Sequence, residues 1–390
     1  MRITFVVPVY GHKPIGGVAV TYRYANAMAS RGHDVSVVHG AFMQPRQYAR
    51  RLRYGRDLKI AARGAADLAS GPPKNGGARG PAFFKMLPQV NLVYAVTLSP
   101  RHVPDADAVV STSWRTAEAV ARYPHAKGLH FQLIQHYETW DGPKRRVDRT
   151  WALPSQRIVI SKWLASIADG LGVADGTVLI PYGMDLSEMA PGAPLEGRPQ
   201  RVAMMWSPAR EKGAKVGLAA LTLARRRLPR LEAALFGVRP RPRSLPSWVD
   251  YFHDPDRRTL STELYSKSSI FLCPSWSEGF GLPGAEAMAC GCALVTTDNG
   301  GVADYATGHI TALICPVGDS RALADALCQL CEDEDLRYRM ARAGRDKAQS
   351  LEWEPSFDKF EHYLEAGAGG GVRASEPSTH QAGTQAREAV

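Results

Sequence analysis

The sequence predicts an α/β fold made of two doubly wound domains that face each other across a cleft. Short apolar segments with strand character alternate with segments whose apolar residues recur at helical spacing, a pattern typical of parallel sheets covered by helices. The alternation occurs in two series, separated at residues 190–200 by a proline- and glycine-rich stretch with the composition of a linker. Glycine-rich or basic loops follow several strands, and in doubly wound sheets such loops lie beside the ligand crevice.

Composition places the chain among ordinary globular proteins. Its 390 residues are enough for two domains, and 45% of them are hydrophobic and 22% charged. The apolar N-terminal run is too short for a signal peptide and is interrupted by Pro8, and no window approaches the roughly 18 apolar residues of a membrane span. Six cysteines, most of them in apolar runs, suit buried thiols in a reducing cytoplasm, so we expect a cytoplasmic protein.

The net charge of +10 suggests an anionic partner such as a nucleotide diphosphate, a membrane surface or nucleic acid. No nucleic-acid recognition motif is present, so we expect no nucleic-acid partner. Cys328 and Cys331 have the spacing of metal ligands, but no second Cys or His pair lies in range, and we interpret them as core residues. Asp105 and Asp107 precede a strand rather than follow one, and we interpret them as a turn.

The first domain opens with an apolar strand at Ile3–Val9, a predicted helix at Val18–Ser30 and a second strand at Val35–Val38. The pair Gly16–Gly17 stands at the start of the helix, which fits close approach of the backbone to a ligand but also a simple glycine turn. Gly-x-Gly-x-x-Gly is absent from this first strand–loop–helix unit, so the opening of the domain does not favour a dinucleotide-dependent oxidoreductase.

An arginine-rich stretch follows at residues 44–63. It predicts an amphipathic basic helix, for which one hypothesis is a peripheral contact with the inner face of a membrane and the alternative is a solvated basic face. The next stretch, Ser70–Pro81, is rich in glycine and proline and predicts a mobile turn region.

The rest of the first domain consists of short apolar strands and two helices. The strands are predicted at Val90–Val96, Ala108–Ser111, Leu129–Ile134, Arg157–Ile160 and Val178–Ile180, and the helices at Thr116–Arg122 and Lys162–Gly170, the latter capped by Ser161. The polar and aromatic segment Gln135–Trp140 directly follows a buried strand, so we expect it to project into the crevice. There His136 could orient a hydroxyl or accept its proton, and the alternative is a histidine without a functional role.

The second domain begins with a strand at Val202–Trp206 and a basic loop at Ser207–Gly213. A basic loop between strand and helix suits phosphate. The alternative is a solvated surface loop. Further strands are predicted at Ala233–Phe236, Val249–Phe252, Leu294–Thr296 and Ala312–Cys315, and helices at Arg257–Lys267, Ser320–Glu332, Asp335–Gln349 and Trp353–Glu365.

The stretch Cys273–Gly291 is the part of the chain around which the predicted site is organised. A buried strand at Ser269–Cys273 leads into a glycine- and proline-rich loop, and helix-forming residues follow. Loop amides and the start of a helix then face the same side, which suits an anion. Glu278 in the loop and Glu286 in the helix could each hold a pair of neighbouring sugar hydroxyls. The alternative is a strand-to-helix turn with one exposed glutamate and one that stabilises the helix start.

The spacing Glu278-x7-Glu286 within SEGFGLPGAEAMACGCALV, followed by TDNGGVADY, resembles the donor-site signature of family 4 retaining glycosyltransferases. That family has the GT-B fold of two Rossmann-like domains. The resemblance implies that Glu278 contacts the hydroxyls of the donor sugar and that Glu286 holds the ribose of the nucleotide. It also implies that Gly16–Gly17 approaches the donor phosphate across the cleft, and His136 matches a cleft histidine of the family.

In the resembling family an arginine and a lysine of the basic loop clamp the donor diphosphate, and Lys212 with Gly213 matches the Lys-Gly of that pattern. The arginine usually found near the strand end is missing, since Trp206 and Ser207 stand there, and we predict Arg210 as its substitute. We expect catalytic roles for Glu278, His136, Arg210 and Lys212, and substrate binding by Gly16, Gly17, Lys215, Gly279, Phe280, Gly281, Leu282 and Glu286.

The resemblance also implies a domain organisation and an activity. We expect an acceptor-binding domain at 1–190, a nucleotide-sugar-binding domain at 191–350, a helix at 351–366 that crosses back to the first domain, and a disordered tail at 367–390. The implied activity is hexosyl or deoxyhexosyl transfer from a nucleotide sugar to a hydroxyl of a glycan, lipid-linked or secondary-metabolite acceptor, with retention and without a metal or cofactor. A nucleotide-sugar epimerase of GT-B fold and a non-catalytic nucleotide-binding partner subunit are the alternatives.

Overall fold

The first half of the chain forms a seven-stranded parallel sheet. The computed structural model describes residues 1–10, 12, 14–42, 55–75, 78–189, 192 and 194–369. The strands of this half are β1 (Arg2–Val7), β2 (Asp34–Phe42), β3 (Lys74–Asn75), β4 (Ala78–Arg79), β5 (Asn91–Thr97), β6 (Ala108–Ser111), β7 (Leu129–Ile134), β8 (Gln156–Val159) and β9 (Thr177–Leu179). The sheet has the order β5-β2-β1-β6-β7-β8-β9, and β3 and β4 form a separate antiparallel ribbon.

The second half forms a six-stranded parallel sheet with the same winding. Its strands are β10 (Arg201–Met205), β11 (Glu232–Gly237), β12 (Val249–His253), β13 (Ile270–Cys273), β14 (Ala293–Thr297) and β15 (Ala312–Cys315), in the order β12-β11-β10-β13-β14-β15. In each sheet the strand order reverses next to the first strand, between β1 and β6 and between β10 and β13. A doubly wound sheet has its ligand crevice at the carboxyl ends of the strands beside such a reversal.

Helices cover both sheets. Their bounds are α1 (Gly16–Ser30), α2 (Gly55–Ser70), α3 (Trp114–Val120), α4 (Lys144–Trp151), α5 (Lys162–Gly170), α6 (Ala214–Arg227), α7 (Arg257–Thr259), α8 (Leu282–Ala289), α9 (Ser320–Glu332), α10 (Glu334–Gln349) and α11 (Glu354–Gly369). The turn α7 continues as a π-helical segment, Leu260–Tyr265. Within the described residues, none of the helices combines the length and the apolar character that crossing a membrane requires.

The two halves share one apolar core through α11, which crosses back to the first sheet. The ring centroid of Phe360 lies 6.0 Å from that of Phe5 in β1 and 4.4 Å from that of Tyr24 in α1. Tyr182 then connects the halves, with ring centroids 5.6 Å from Trp353 and 5.7 Å from Phe280. The core therefore runs without interruption from β1 to the loop that follows β13.

Much of the predicted secondary structure is confirmed. The structure has the predicted bounds at Ala108–Ser111, Leu129–Ile134, Lys162–Gly170, Ala312–Cys315 and Ser320–Glu332. Ser161 caps α5, because its hydroxyl accepts a hydrogen bond from Leu164 N–H at 3.3 Å. All six cysteines are buried and free, in agreement with their interpretation as core residues.

The prediction was wrong at two places. The helix α4 was not predicted, because its sequence KRRVDRTW is short and carries only two apolar residues, Val147 and Trp151. Ser70–Pro81 was predicted as a turn region but carries the β3–β4 ribbon. The basic helix predicted at 44–63 is, in the described part, a helix at Gly55–Ser70, and residues 43–54 lie outside the described residues. The hypothesis of a membrane contact stays a prediction.

Two predicted boundaries are only partly covered. The boundary at residues 190 and 191 lies outside the described residues, although β9 and β10 on either side belong to different sheets. The tail predicted to begin at residue 367 is helical as far as Gly369, because α11 continues to that residue. Residues 370–390 lie outside the described residues.

Candidate active site

The carboxyl ends of the two sheets meet in a narrow cleft. Gln135 follows β7 and Gly279 follows β13, and a Cβ on Gly279 would lie 1.8 Å from the Gln135 carbonyl oxygen. Beside this contact, Nε2 of His136 lies 3.3 Å from the carbonyl oxygen of Ser277. The cleft thus brings the segment after β7 against the loop around Glu278, as the sequence predicts for two facing crevices.

Glu278 is buried in this cleft, with 8% of its side chain exposed. Its carboxylate accepts hydrogen bonds from Lys212 Nζ at 2.8 and 2.9 Å and from Ser275 Oγ at 2.7 Å. Burial disfavours the charge of Lys212, but the Glu278 carboxylate outweighs this effect, and the pKa of Lys212 is raised. The contact is therefore a charged pair that fixes the orientation of the carboxylate.

The loop that carries Glu278 is held by a second crevice loop, Asn299–Gly301. Glu278 N–H donates to the Asn299 carbonyl oxygen at 2.9 Å, and Gly301 N–H donates to the Glu278 carbonyl oxygen at 3.1 Å. Gly301 has to be a glycine, because a Cβ there would lie 2.7 Å from the backbone of Gly279. The TDNGG segment that follows the motif in the sequence thus supports the backbone of Glu278.

Glu286 lies in α8, with 10% of its side chain exposed. Its Oε1 accepts a hydrogen bond from Arg257 Nη1 at 2.7 Å, and Arg257 Nε donates to Glu188 Oε2, also at 2.7 Å. Burial opposes the charge of Arg257, but the two carboxylates outweigh it and raise the pKa of its guanidinium. Each of the two glutamates of the motif therefore has its own cation in this structure.

The start of α8 is open to an anion. Its N-cap is Gly281, with φ of 92°, and neither a side-chain cap nor an acidic residue occupies the first turn. Leu282 and Pro283 are its first two residues, so the backbone N–H of Leu282 is among those left without a helical partner. The side chain of Phe280 is only 2% exposed and packs on Tyr182, so contact with a ligand would have to come from its backbone.

A second helix start lies on the other side of the cleft. Gly16 and Gly17 are the first residues of α1, which has no side-chain cap at Ile15 and no acidic residue in its first turn. A Cβ on Gly17 would lie 3.1 Å from Gln135 Oε1, whereas a Cβ on Gly16 would meet nothing within 4 Å. The side chain of Gln135 therefore lies against Gly17, while Gly16 is exposed, and the phosphate contact predicted for the two glycines stays a prediction.

The basic residues of the loop after β10 are divided between the cleft and the surface. Lys212 points inward to Glu278. Arg210 is exposed and its guanidinium lies 5.8 Å from the ring centroid of Trp276, of which 43% is exposed. Lys215 is exposed on the first turn of α6. The roles predicted for Arg210 and Lys215 stay predictions.

His136 stands between two indole rings. Its ring centroid lies 6.1 Å from that of Trp140 and 5.7 Å from that of Trp163. Burial lowers the pKa of His136, and the Glu278 charge only partly opposes this effect, so the imidazole is neutral at neutral pH. Where Nε2 carries the proton it donates to Ser277, and Nδ1, which has no partner among the described residues, remains an acceptor.

Two further contacts across the cleft come from α5. The indole ring of Trp163 packs on Gly300. Glycine is required at this position, because its φ is 89° and a Cβ would lie 2.6 Å from that ring. The carboxylate of Asp304 accepts from Lys162 N–H at 3.2 and 3.3 Å, an interaction with the helix start that favours a negative charge. The N-terminal end of α5 is therefore fixed against the second domain.

Glu138 is a titratable residue near His136 that the sequence did not single out. Its Oε2 accepts a hydrogen bond from Trp114 N–H, at the start of α3, at 2.7 Å. Burial raises the pKa of Glu138 to about 8, and the Trp114 N–H, which favours the charged form, only partly offsets burial. Glu138 therefore binds its proton more tightly in the folded protein than in the unfolded chain.

We expect Glu138→Gln to change how stability depends on pH. The folded-state pKa of Glu138 is about 8 and the ordinary value is 4.5. The contribution of Glu138 to the free energy of unfolding therefore falls as the pH rises from about 4.5 to about 8, and it is constant above that pH. The glutamine variant keeps an acceptor for Trp114 N–H and does not titrate. In thermal unfolding measured from pH 5 to pH 9, the Tm of the variant should rise relative to the Tm of the wild type as the pH increases to about 8. A difference in Tm that stays constant from pH 5 to pH 9 contradicts the expectation.

The structure brings together only part of the predicted site. Glu278 and Lys212 form a hydrogen-bonded ion pair, and His136 and Gly279 lie at the same contact between the domains. Glu286 belongs to a second group with Arg257, which sequence analysis missed because their pairing joins positions 29 residues apart. Ser275 was also missed, although a serine three residues before Glu278 in a tight loop is a detectable signal.

Comparison with known proteins places this geometry in context. Residues 251–347 match the family model described as glycosyl transferases group 1, a range that includes both motif glutamates and Arg257. A D-inositol 3-phosphate glycosyltransferase of Kribbella flavida is 35% identical over 106 residues, which are 27% of this chain and 25% of the relative. A phosphatidyl-myo-inositol mannosyltransferase of Mycobacterium tuberculosis is 26% identical over 216 residues, or 52% of this chain and 57% of the relative. The chain thus spans about a quarter of the first relative's length and just over half of the second's.

Solved structures match over nearly the whole chain. Sucrose-phosphate synthase from Thermosynechococcus elongatus has a TM-score of 0.69 at 18% identity and covers 95% of this chain and all of that one. Anabaena Alr3699/HepE, solved in complex with UDP-glucose, has a TM-score of 0.69 at 14% identity and covers 94% of this chain and all of that one. These matches confirm the predicted GT-B fold. The family model and the relatives named above confirm the resemblance to family 4 glycosyltransferases.

Proposed function

We propose that the protein is a retaining glycosyltransferase that moves a hexosyl or deoxyhexosyl group from a nucleotide sugar to a hydroxyl of a carbohydrate-containing acceptor. The observation that carries the proposal is the Glu278–Lys212 pair, in which a cation holds a buried carboxylate. The pair lies where the ligand crevices of the two doubly wound domains meet. The group 1 match over residues 251–347 and the Anabaena protein solved with UDP-glucose support a nucleotide-sugar donor.

The chemistry requires the separation of charge at the donor. The acceptor oxygen forms a bond to the anomeric carbon, and the bond from that carbon to the diphosphate breaks with its electron pair going to the diphosphate. The acceptor proton passes to the departing diphosphate oxygen, which lies on the same face when configuration is retained. Positive groups already oriented at the diphosphate lower the barrier, and Lys212 and the open start of α8 are the candidates.

Lys212 has a second role in this scheme. In the structure its ammonium group is bonded to Glu278, so it can bind a diphosphate only by sharing its protons with that carboxylate or leaving it. Glu278 would then turn its freed lone pairs to hydroxyls of the donor sugar. His136, neutral and beside Ser277, would orient the acceptor hydroxyl. Transfer is proposed to proceed without a metal, since these groups supply the charge compensation.

Neither alternative function is favoured by an observation in this chain. An epimerase of the same fold would need only the donor, and a partner subunit would bind a nucleotide without turnover. A turnover assay separates the three. We expect the purified chain to release a nucleoside diphosphate from one of UDP-, GDP- and ADP-hexoses only when a glycan or glycolipid acceptor mixture is added. Consumption of the donor without an acceptor would identify an epimerase or hydrolase, and binding without turnover would identify a partner subunit.

Glu286→Ala is expected to weaken nucleotide binding more than it changes the rate of transfer at saturating donor. The proposal assigns its carboxylate to the ribose hydroxyls, and a hydrogen bond to a charged group is worth about 1.5–3 kcal/mol, or roughly 10- to 150-fold in affinity. Calorimetric titration with UDP, GDP, ADP and CDP measures this directly. An affinity equal to that of the wild type for the nucleotide that binds best would contradict the assignment.

A further inference from the structure

Arg257 connects three parts of the molecule, which are the turn α7, the helix α8 and the segment between the two sheets. It is the first residue of α7, a turn capped by Asp256, whose Oδ1 accepts from Thr259 N–H at 2.7 Å. Its guanidinium then donates to Glu286 in α8 and to Glu188 in the segment that joins the two sheets. The side chain of Arg257 is 41% exposed, while the Glu286 side chain is 10% exposed.

The two ion pairs of Arg257 differ in strength. Glu188 is 44% exposed, and pairs at that exposure contribute little because water and salt screen them. Glu286 is nearly enclosed, and a buried carboxylate without a partner is unfavourable, so its bond to Arg257 is the one that matters. The ion pair with Glu286 is therefore the more important of the two interactions of Arg257.

The bond also leaves part of the carboxylate available. Arg257 Nη1 occupies Oε1 of Glu286, whereas Oε2 accepts no hydrogen bond from the described residues. A planar guanidinium donates along fixed directions, so this bond holds Oε1 in place and restricts the directions in which Oε2 can present its lone pairs. An oriented acceptor discriminates between a ligand that has a hydroxyl at that point and one that lacks it.

We propose that Arg257 is a positioning residue of the nucleotide site, which holds Glu286 so that its second oxygen meets the ribose hydroxyls of the donor. The inference rests on the proposed function, because it takes the ribose as the ligand of Glu286. Glu188 belongs to the segment between the two domains, and Asp185 of the same segment accepts a hydrogen bond from Arg23 of α1 at 2.9 Å. Through these pairs the carboxylate of the second domain is connected to a helix of the first.

The test is the ratio of affinities for a ribonucleoside diphosphate and for its deoxy analogues. Calorimetry on the full chain uses whichever of UDP, GDP, ADP and CDP binds best, together with the 2′-deoxy and 3′-deoxy forms of that nucleotide. The wild type is expected to bind the ribonucleotide about tenfold or more tightly than at least one deoxy form. In Arg257→Ala this ratio should fall toward one, as it should in Glu286→Ala.

Matched variants separate positioning from other roles. Arg258→Ala removes the exposed neighbouring arginine and should keep the wild-type ratio, and Glu188→Gln should also keep it because the Glu286 bond persists. Arg257→Lys, which retains a cation without the planar fork, should recover part of the ratio. Thermal unfolding of each variant establishes that the protein is folded.

The outcomes are distinct. An Arg257→Ala protein that loses affinity for the ribonucleotide and both deoxy forms equally, with the ratio unchanged, would show that Arg257 acts elsewhere on the nucleotide and overturn the inference while the proposed function stands. A wild type that does not distinguish the ribonucleotide from either deoxy form overturns the ribose role of Glu286 and the inference with it. Loss of the ratio in Glu286→Ala alone also overturns the inference.

Discussion

Glu278→Gln is expected to reduce sugar transfer by about 10²-fold or more, the scale observed when one contact made in a transition state is removed. The amide keeps the size of the side chain and can still accept a hydrogen bond from Lys212 or Ser275. It removes the negative charge that holds both the ammonium group and the donor hydroxyls. The loss should therefore appear in kcat at saturating donor and acceptor, measured as released nucleoside diphosphate.

A control has to separate this chemical loss from damage to the fold. The variant leaves the charge of Lys212, whose side chain is 26% exposed, without its carboxylate, so some decrease in Tm is expected. Glu232→Gln makes the same substitution at an exposed position at the start of β11 and should retain wild-type turnover and Tm. Near-normal kcat in a folded Glu278→Gln protein would reject the assignment of Glu278.

The sequence could predict the sheets because their strands are buried on both faces. In β7 the run LHFQLI has five consecutive buried residues, and in β13 the run IFLC has four. Apolar runs of this kind bounded by turns are the strongest signal of a parallel strand. By contrast, the helix α4 and the ribbon β3–β4 are short and polar, and their composition does not distinguish them from loops.

The site was predictable only as far as its information is local. The Glu278-x7-Glu286 spacing and the glycines between them lie in one stretch, so the residue types could be recognised as a motif. Their pairings could not, since Lys212 is 66 positions from Glu278 and Arg257 is 29 positions from Glu286. The packing of the loops of the second sheet decides which cation pairs with which carboxylate. The spacing of residues in a single sequence does not contain that information.

The contact between Gly279 and Gln135 is a second position at which a small change should have a large effect. A Cβ on Gly279 would lie 1.8 Å from the Gln135 carbonyl oxygen and 2.9 Å from its carbon, and contacts of this kind below 3.0 Å do not occur. The two backbones would have to separate by at least about 1.2 Å, and neither can yield as a flexible side chain would. Gly279→Ala therefore forces the segment after β7 away from the loop that carries Glu278.

We expect Gly279→Ala to lose about 10²-fold in transfer, because a displacement of roughly 1 Å between reacting groups has an effect of that size. Nucleotide affinity should change much less, since Glu286, Arg257 and the start of α8 all belong to the second domain. This separation of turnover from binding distinguishes a cleft that cannot close from a domain that cannot fold. Gly308→Ala is the matched control, because a Cβ there meets nothing within 4 Å, and it should keep both properties. Wild-type turnover in Gly279→Ala would mean that the contact with Gln135 is not part of the reactive state, and the cleft chemistry proposed for His136 and Glu278 would have to be abandoned.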